Sequence, residues 1–269
     1  METYNSLQLR EIFHLEFLKW FGKKVKPANY ILKGGVNLRL FFKSFRYSED
    51  MDLDSIGIDV GVLKDIVMKI LKSPSFQDNL RPFGVENIVP PNIIKAKQTE
   101  TTQRFKIHLI TAAGEDLFTK IEFSRRGFRG KPVIEPVSYA ILREYKMAPL
   151  LVSHYDAYST AAQKINALAS RSIIQARDVF DLFILTPQLV KIKKETGISE
   201  ELGIFTFAGD KLRKAYDNIF VIKFEQFRDS VLLYLSPEDR AIYETPARWD
   251  EIKLKAADFI DEIKKRGYV

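Results

Sequence analysis

Residues 31–55, ILKGGVNLRLFFKSFRYSEDMDLDS, combine a glycine pair, an amphipathic segment and a run in which acidic residues alternate with other residues. In an extended strand, successive side chains point to opposite faces of the sheet. Asp50, Asp52 and Asp54 are therefore predicted to share one face, while the apolar residues between them point into a core. Carboxylates crowded on one face repel one another unless a cation lies among them. This pattern favours a metal such as Mg²⁺, which prefers oxygen ligands, at a site that handles phosphate.

The composition of the chain is that of a globular protein. Its 269 residues are 46% hydrophobic, which suits one large domain or two ordinary ones. No apolar stretch approaches the roughly 20 residues of a membrane-spanning helix. The N-terminus lacks the basic patch and apolar core of a secretory signal. The chain has no cysteine, which excludes disulfides and thiolate metal sites and fits a reducing interior. We therefore expect a cytoplasmic protein with no membrane partner.

The net charge of +7 favours polyanionic partners such as nucleotides or RNA. A merely lysine-rich surface would give the same charge. The basic turn RRGFRGKP, residues 125–132, is open to both interpretations. It is either an edge that contacts RNA or a solvated loop.

Hydrophobic periodicity places strands mainly in the first half of the chain and helices in the second. Predicted helices cover residues 4–24, 36–42, 61–71, 158–169, 174–186, 208–218, 223–234 and 249–266. Predicted strands cover residues 50–53, 105–111 and 117–124. Residues 73–92 are predicted to be mostly loop, with at most one short element. This order indicates an α+β fold with a helical second part. We place an N-terminal domain at residues 1–147 and a C-terminal helical domain at residues 148–269.

A third carboxylate is predicted to join the first two from another strand. Glu122 alternates with Ile121 in a second strand-like run. If the two strands are neighbours, Asp50, Asp52 and Glu122 can hold one or two metal ions for an in-line phosphoryl displacement. Two plainer interpretations stay open. The acidic run could be a solvated strand face, and Glu122 could form an ordinary exposed pair with Lys120.

The glycine pair suggests a phosphate-binding turn. Because Gly34 and Gly35 lack Cβ atoms, the backbone can approach a phosphate closely, and the following helix offers free N–H groups. Arg46 and Ser48 lie on the approach to the acidic run, where they could bind phosphate oxygens or brace the turn. A glycine pair is more often an ordinary turn.

Together these motifs resemble the AbiEii/AbiGii-type nucleotidyltransferase toxins, in which a glycine pair precedes an R-x-S-x-D-x-D run. The second family motif, K-[I/L]-[E/D], matches residues 120–122. The third and fourth motifs match Lys164 with Arg171, and Arg177 with Asp178 and Asp181. The resemblance spans residues 31 to about 185, and Asn37 departs from it, since a small residue is more usual in that turn.

The resemblance implies a polymerase β-like nucleotidyltransferase domain with a mixed sheet, followed by a helical domain. It implies that Lys164 contacts the nucleotide triphosphate, that Asp178 is a second catalytic or bracing carboxylate, and that the active site lies in a cleft between domains. From the residues alone, Arg177 and Asp181 are four apart on a helix, and this spacing favours an exposed salt bridge.

The function implied is metal-dependent transfer of a nucleoside monophosphate from an NTP to a hydroxyl. The expected catalytic residues are Asp50, Asp52, Glu122, Lys164 and Asp178, with Mg²⁺ or Mn²⁺ held by the first three. The resemblance further implies a growth-inhibiting toxin of a toxin–antitoxin or abortive-infection system, with an RNA acceptor such as tRNA and a cognate antitoxin. The alternative is a non-catalytic protein that binds nucleic acid or a partner and carries a vestigial acidic site.

Overall fold

The computed structural model describes the backbone of residues 3–93, 96–196 and 209–265, and the side chains of these residues except 190–196. Contacts divide the chain into two compact units. The first comprises Met1–Phe41 and Tyr47–Tyr155, and the second comprises Phe42–Arg46 and Asp156–Val269. These units are defined by contacts within the chain and do not show where independent domains begin and end. The domain boundary between residues 147 and 148 therefore stays a prediction.

The described residues of the first unit form a mixed sheet of seven strands. The strands are β1 (Tyr30–Lys33), β2 (Asp50–Ser55), β3 (Val85–Val89), β4 (Thr102–Thr111), β5 (Asp116–Ser124), β6 (Pro132–Pro136) and β7 (Leu151–Tyr155). Their order across the sheet is β3-β4-β5-β2-β1-β7-β6. β2 pairs with β5 in parallel, as β1 does with β7, and the other neighbours run antiparallel. The two strands predicted to carry the carboxylates are therefore adjacent at the centre of the sheet.

One face of this sheet is covered by apolar side chains from helices. The helices of the first unit are α1 (Ser6–Gly22), α2 (Gly34–Phe41), α3 (Val60–Leu71), α4 (Pro74–Leu80) and α5 (Tyr139–Glu144). Met51 of β2 and Phe123 of β5 are fully buried among them. Phe21 of α1 packs on Phe123, with ring centroids 5.4 Å apart. Burial of each such side chain stabilises the fold by roughly 1.5–3 kcal/mol, which fixes the face that β2 and β5 turn inward.

The regular secondary structure in the described part of the second unit is helical. Its helices are α6 (Ala157–Ser170), α7 (Ala176–Thr196), α8 (Gly209–Val221), α9 (Phe224–Ser230), α10 (Pro237–Tyr243) and α11 (Pro246–Lys265). Phe227 and Trp249 stack at the centre of this unit, with ring centroids 4.5 Å apart. Phe45 packs edge-on against Phe180 at 5.4 Å, which ties the segment Phe42–Arg46 to the helices.

The α+β class is confirmed, but several short elements were not predicted, among them β1, α5 and α10. Residues 73–92, predicted to be mostly loop, contain α4 and β3, and α4 begins at Pro74, where proline suits the first helical turn. The strands β6 and β7 were not predicted. Pro132 and Pro136 flank β6, which is tolerated because β6 is an edge strand.

In residues 3–93, 96–196 and 209–265, no helix is both long enough and apolar enough to cross a membrane.

Two histidines of the first unit are buried. His14 Nε2 lies 3.0 Å from the hydroxyl of Thr119, and that hydroxyl donates to the carbonyl of Glu49 at 2.7 Å. A threonine hydroxyl has one proton, so His14 is the donor in the first bond. Burial, helped by the charge of Arg10, lowers the pKa of His14 to about 3, and burial lowers the pKa of His154 to about 4. Both rings therefore stay neutral in the folded protein at mildly acidic pH.

We predict that His14 makes the protein sensitive to acid. Below pH 6.5 the unfolded chain binds a proton at this ring, whereas the folded chain binds it only near pH 3. Stability is therefore lost as the pH falls, by roughly 1.4 kcal/mol per pH unit for each such histidine. In urea unfolding between pH 7 and pH 4, His14→Gln should reduce the slope of the unfolding free energy against pH by about 1.4 kcal/mol per pH unit. A wild-type slope in His14→Gln would contradict the prediction.

Candidate active site

The predicted carboxylate trio occupies neighbouring positions on two parallel strands. Asp52 of β2 is in register with Glu122 of β5, and Asp50 is in register with Lys120. All four side chains leave the sheet on the face opposite the core, because the residues between them are buried. The predicted trio required these two strands to be neighbours, and the structure shows that they are, with Asp50, Asp52 and Glu122 on one face.

Basic side chains accompany two of the three carboxylates. Lys120 Nζ lies 2.9 Å from Asp50 Oδ2, and Arg104 Nε of β4 donates to Glu122 Oε2 at 2.7 Å. These pairs relieve the repulsion between neighbouring acids. Sequence reasoning missed Arg104, although the alternation in RFKIHL at residues 104–109 places it on the polar face of β4.

Asp54, the last acid of the run, is committed to structural contacts. It is buried, Lys33 Nζ lies 2.5 Å from its Oδ1, and the hydroxyl of Tyr155 donates to its Oδ2 at 2.5 Å. A buried carboxylate paired in this way is expected to hold β1, β2 and β7 together. The part of the acidic run that is left for chemistry is therefore Asp50 and Asp52.

Asp52 lies directly against the glycine turn. Gly34 has φ of +72°, and a Cβ built on it would lie 3.0 Å from Asp52 Oδ2. Burial raises the pKa of Asp52, Lys33 and Lys120 act against this shift, and the charges of Glu122 and Asp50 add to it. α2 begins at Gly34, so its first N–H groups have no partner within the helix and are suited to binding an anion.

Ser48 and Asn37 position this turn and the strands around it. The hydroxyl of Ser48 donates to the carbonyl of Asp50 at 2.8 Å, which braces the start of β2. Asn37, the residue that departs from the family pattern, is fully buried. Its Nδ2 donates to the carbonyl of Tyr155 at 3.1 Å, and its Oδ1 lies 2.9 Å from His154 Nδ1. The Asn37 side chain therefore anchors α2 to β7.

The donor set of the acidic face suits a hard divalent cation. Asp50, Asp52 and Glu122 offer only carboxylate oxygens, and Asp50 Oδ1 is buried with no hydrogen-bond partner. Within the part of the chain that the structure describes, no three Asp, Glu, His or Cys side chains converge on one point as metal ligands. Glu122 pairs with Arg104, a cation of the chain itself.

A second cluster of charges is buried in the helical unit. Arg46 Nη2 lies 3.0 Å from Asp181 Oδ1, and Lys164 Nζ lies 2.6 Å from Asp181 Oδ2 and 3.1 Å from Asp178 Oδ1. Arg171 also pairs with Asp178. The exposed salt bridge between Arg177 and Asp181 that the helical spacing allowed is therefore wrong, since Asp181 is completely buried and has other partners. The structure brings together Arg46, Lys164 and Asp178. The contacts of Lys164 and Arg46 with phosphate, and the catalytic or bracing role of Asp178, stay predictions.

Asp181 is the centre of this cluster, and sequence reasoning gave it no role of its own. Burial would raise the pKa of Asp181, but Arg46 and Lys164 outweigh burial and lower it. The carboxylate therefore stays charged and fixes the positions of two cations. The signal available in the sequence was the second aspartate of ARDVFDL, three residues after Asp178 and so on the same side of α7.

Arg125, in the basic turn after β5, makes structural contacts. Arg125 donates to Gln103 Oε1 at 3.1 Å and to the carbonyl of Ile58 at 2.5 Å, so it braces β4. Arg126 is exposed. For Arg126 both interpretations of this turn stay open.

Comparison with known proteins identifies one family and a shared fold. A family model for the nucleotidyl transferase AbiEii toxin of type IV toxin–antitoxin systems matches residues 18–263. JHP933 from Helicobacter pylori is 18% identical, with a TM-score of 0.59 over 98% of this chain and 94% of that protein. MenT4, a nucleotidyltransferase toxin from Mycobacterium tuberculosis, is 14% identical, with a TM-score of 0.59 over 97% of this chain and 87% of that protein. No curated protein sequence matches the chain.

We predict that substitution by alanine destabilises the protein at Gly34 but not at Gly35. Gly34→Ala places a side chain at positive φ against Asp52, so the free energy of unfolding should fall by at least about 1 kcal/mol. Gly35→Ala is the matched control. Its position in α2 has no positive φ, so alanine should be neutral or slightly stabilising. Urea unfolding measures both variants, and equal stability of the two would contradict the close approach of Gly34 to Asp52.

We predict that Asp181 is essential for the stability of the helical unit. Asp181→Asn leaves Arg46 and Lys164 with one charged partner fewer in a buried setting, which should cost roughly 3–5 kcal/mol. Asp258→Asn on the exposed side of α11 makes the same chemical change and should stay within about 0.5 kcal/mol of wild type. The measurement is chemical unfolding monitored by far-UV circular dichroism of the helices. A similar small loss in both variants would show that the buried cluster does not hold the unit together.

Proposed function

Because the chain belongs to the AbiEii nucleotidyltransferase toxin family, we propose that it transfers a nucleoside monophosphate from an NTP to a hydroxyl of RNA in a metal-dependent reaction. The chain is a nucleotidyltransferase of a type IV toxin–antitoxin family, which implies an NTP substrate and an antitoxin partner. The metal, the RNA acceptor, with tRNA as the first candidate, and a role in abortive infection are parts of the proposal.

One observation carries the proposal. Asp52 and Glu122 are in register on adjacent parallel strands, and Asp50 lies on the same face with one oxygen unpaired. Neighbouring carboxylates with an unpaired buried oxygen are costly for stability alone, so their placement favours a role in binding a cation. Gly34 lies so close to Asp52 that a Cβ at this position would be 3.0 Å from Asp52 Oδ2, so a backbone suited to phosphate lies next to these oxygens.

The chain's own groups account for binding and positioning in the proposed reaction. Asp50, Asp52 and Glu122 would hold Mg²⁺ or Mn²⁺, which when bound neutralises charge on the reacting phosphate. Gly34 and Gly35 present backbone N–H groups to the triphosphate. The acceptor oxygen forms a bond to the α-phosphorus, the bond from that phosphorus to the β-phosphate oxygen breaks, and pyrophosphate leaves. The proton of the acceptor hydroxyl passes to one carboxylate of the trio.

Residues of the helical unit have a supporting part in the proposal. Lys164, held by Asp178 and Asp181, supplies a charge-assisted hydrogen bond to the triphosphate. Asp178 braces Lys164 by its ion pair. Ser48 supports Asp50 through its backbone carbonyl, and Arg46 acts through Asp181.

A non-catalytic binding protein with a vestigial acidic face is the weaker candidate. The family is one of nucleotidyltransferases, and Asp50, Asp52 and Glu122 are all present and adjacent. A vestigial site would have no need of the unpaired oxygen of Asp50.

We predict that neutralising the acidic pair abolishes transfer. The protein is incubated with labelled NTPs, Mg²⁺ and total RNA, and label in RNA and in protein is counted separately. Asp50→Asn and Asp52→Asn should each lower the rate of transfer to RNA at least about 100-fold, because oriented charge is the main source of rate in such sites. Lys164→Ala should lower the rate as well.

Glu86→Gln on β3 is the matched control, since it neutralises an exposed acid of the same sheet and should leave the rate unchanged. Equal labelling by wild type and the Asp50→Asn variant across RNA and protein acceptors would refute the proposed enzyme. Label found only on protein would refute the RNA acceptor and leave the transfer reaction in place.

A further inference from the structure

A groove borders the acidic face on the side of β4. Its volume is about 480 Å³, and it is lined on one side by residues 89–92 with Ala96 and Lys97, and on the other by Arg104, Lys106 and His108. The three residues from β4 alternate along the strand, so they project from the same face as Glu122. This groove, which we call the β4 groove, is formed entirely by residues of the first unit.

Hydrogen bonds to β4 hold the outer wall of the groove in place. The N–H of Arg104 donates to the carbonyl of Lys97 at 2.8 Å, and Gln98 Nε2 donates back to the carbonyl of Arg104 at 3.0 Å. Gln103 Nε2 also donates to Gln98 Oε1 at 2.8 Å. Lys97 is therefore fixed in position along β4.

The β4 groove carries positive charge that is free to bind an anion. Lys97 and Lys106 are exposed, and in the described residues neither ammonium group forms an ion pair. Lysines that stabilise a fold usually pair or lie along apolar surface. Residues Val89, Pro90 and Pro91 add an apolar rim, and Val89 is 43% exposed. Cations beside an apolar rim suit a single-stranded nucleic acid, because the cations bind its phosphates and the apolar rim contacts its bases and sugars.

The position of the groove fits the acceptor side of the proposed reaction. Across the sheet the order is β4, β5, β2 and β1, so Glu122 lies between Arg104 and the acidic pair, and the glycine turn follows β1 on the other side. An in-line displacement requires the attacking oxygen and the leaving pyrophosphate on opposite sides of the phosphorus. If the pyrophosphate leaves toward the glycine turn, the acceptor approaches the α-phosphorus from the side of Glu122.

We propose that the β4 groove binds the phosphodiester backbone of a single-stranded RNA end and directs its hydroxyl to Glu122. Lys97 and Lys106 bind consecutive stretches of the backbone. Arg104 borders the groove and pairs with Glu122, so it links acceptor binding to the carboxylate trio. This inference rests on the proposed transfer to RNA and adds the surface that selects the acceptor.

The test measures RNA binding without turnover. The probe is a fluorescein-labelled single-stranded RNA of roughly 12 nucleotides with a free 3′ hydroxyl. Fluorescence anisotropy in the absence of NTP gives Kd over a range of salt concentrations. We expect Lys97→Gln/Lys106→Gln to raise Kd about tenfold or more and to reduce the slope of log K against log salt by about 1.4, the value for two lost phosphate contacts on a single strand.

The control variant is Lys69→Gln/Lys72→Gln, which removes the same charge at exposed positions near the end of α3. It should retain the Kd and the salt slope of wild type. Three results would overturn the β4 groove as an RNA site: wild type that does not bind the probe, equal losses in both double variants, or a loss in the control alone.

Failure of the proposed function gives a different result. In that case wild type transfers no label to RNA, whatever the binding assay shows. If transfer to RNA is observed while Lys97→Gln/Lys106→Gln binds the probe normally, the reaction stands and the groove is refuted. If both are correct, the double variant raises KM for RNA and leaves KM for the NTP unchanged.

Discussion

The parallel pairing of β2 with β5 is the constraint on which the proposed site depends. It sets Asp52 beside Glu122, with Asp50 two residues away on the same face of β2. These three carboxylates repel one another unless positive charge lies near them. The chain supplies part of that charge through Lys120 and Arg104. Burial of the alternate apolar side chains prevents relief by a shift of register, because a slip of one residue would turn the core residues outward.

The neighbouring elements follow from this pairing. β1 lies beside β2, so the turn that leaves β1 meets Asp52, and Gly34 suits that turn because a side chain there would press on the carboxylate. β4 lies on the other side of β5, and its polar face continues the charged surface into the β4 groove. In the helical unit, Asp181 plays a comparable part, since its buried charge fixes Arg46 and Lys164.

Much of this organisation was predictable from alternation and helical spacing. The strand at Asp50, the strand at Glu122 and most helices have strong periodic patterns, and the motif residues then indicate the family. The short strands β6 and β7 were missed because five residues carry little periodic signal, and β6 also begins and ends with proline. The partners of Asp54, Asp181 and Glu122 were missed because each comes from a distant part of the sequence, and ion pairs of this kind are set by tertiary packing.

The most direct test of the acidic face is a crystallographic one. Crystals of the protein are soaked with Mn²⁺ and a non-hydrolysable NTP analogue, and an anomalous difference map locates the metal. Our account predicts a peak within about 2.2 Å of carboxylate oxygens of both Asp50 and Asp52, with the triphosphate at Gly34. A map with no peak at these carboxylates, and with Asp50 still paired to Lys120, would contradict it.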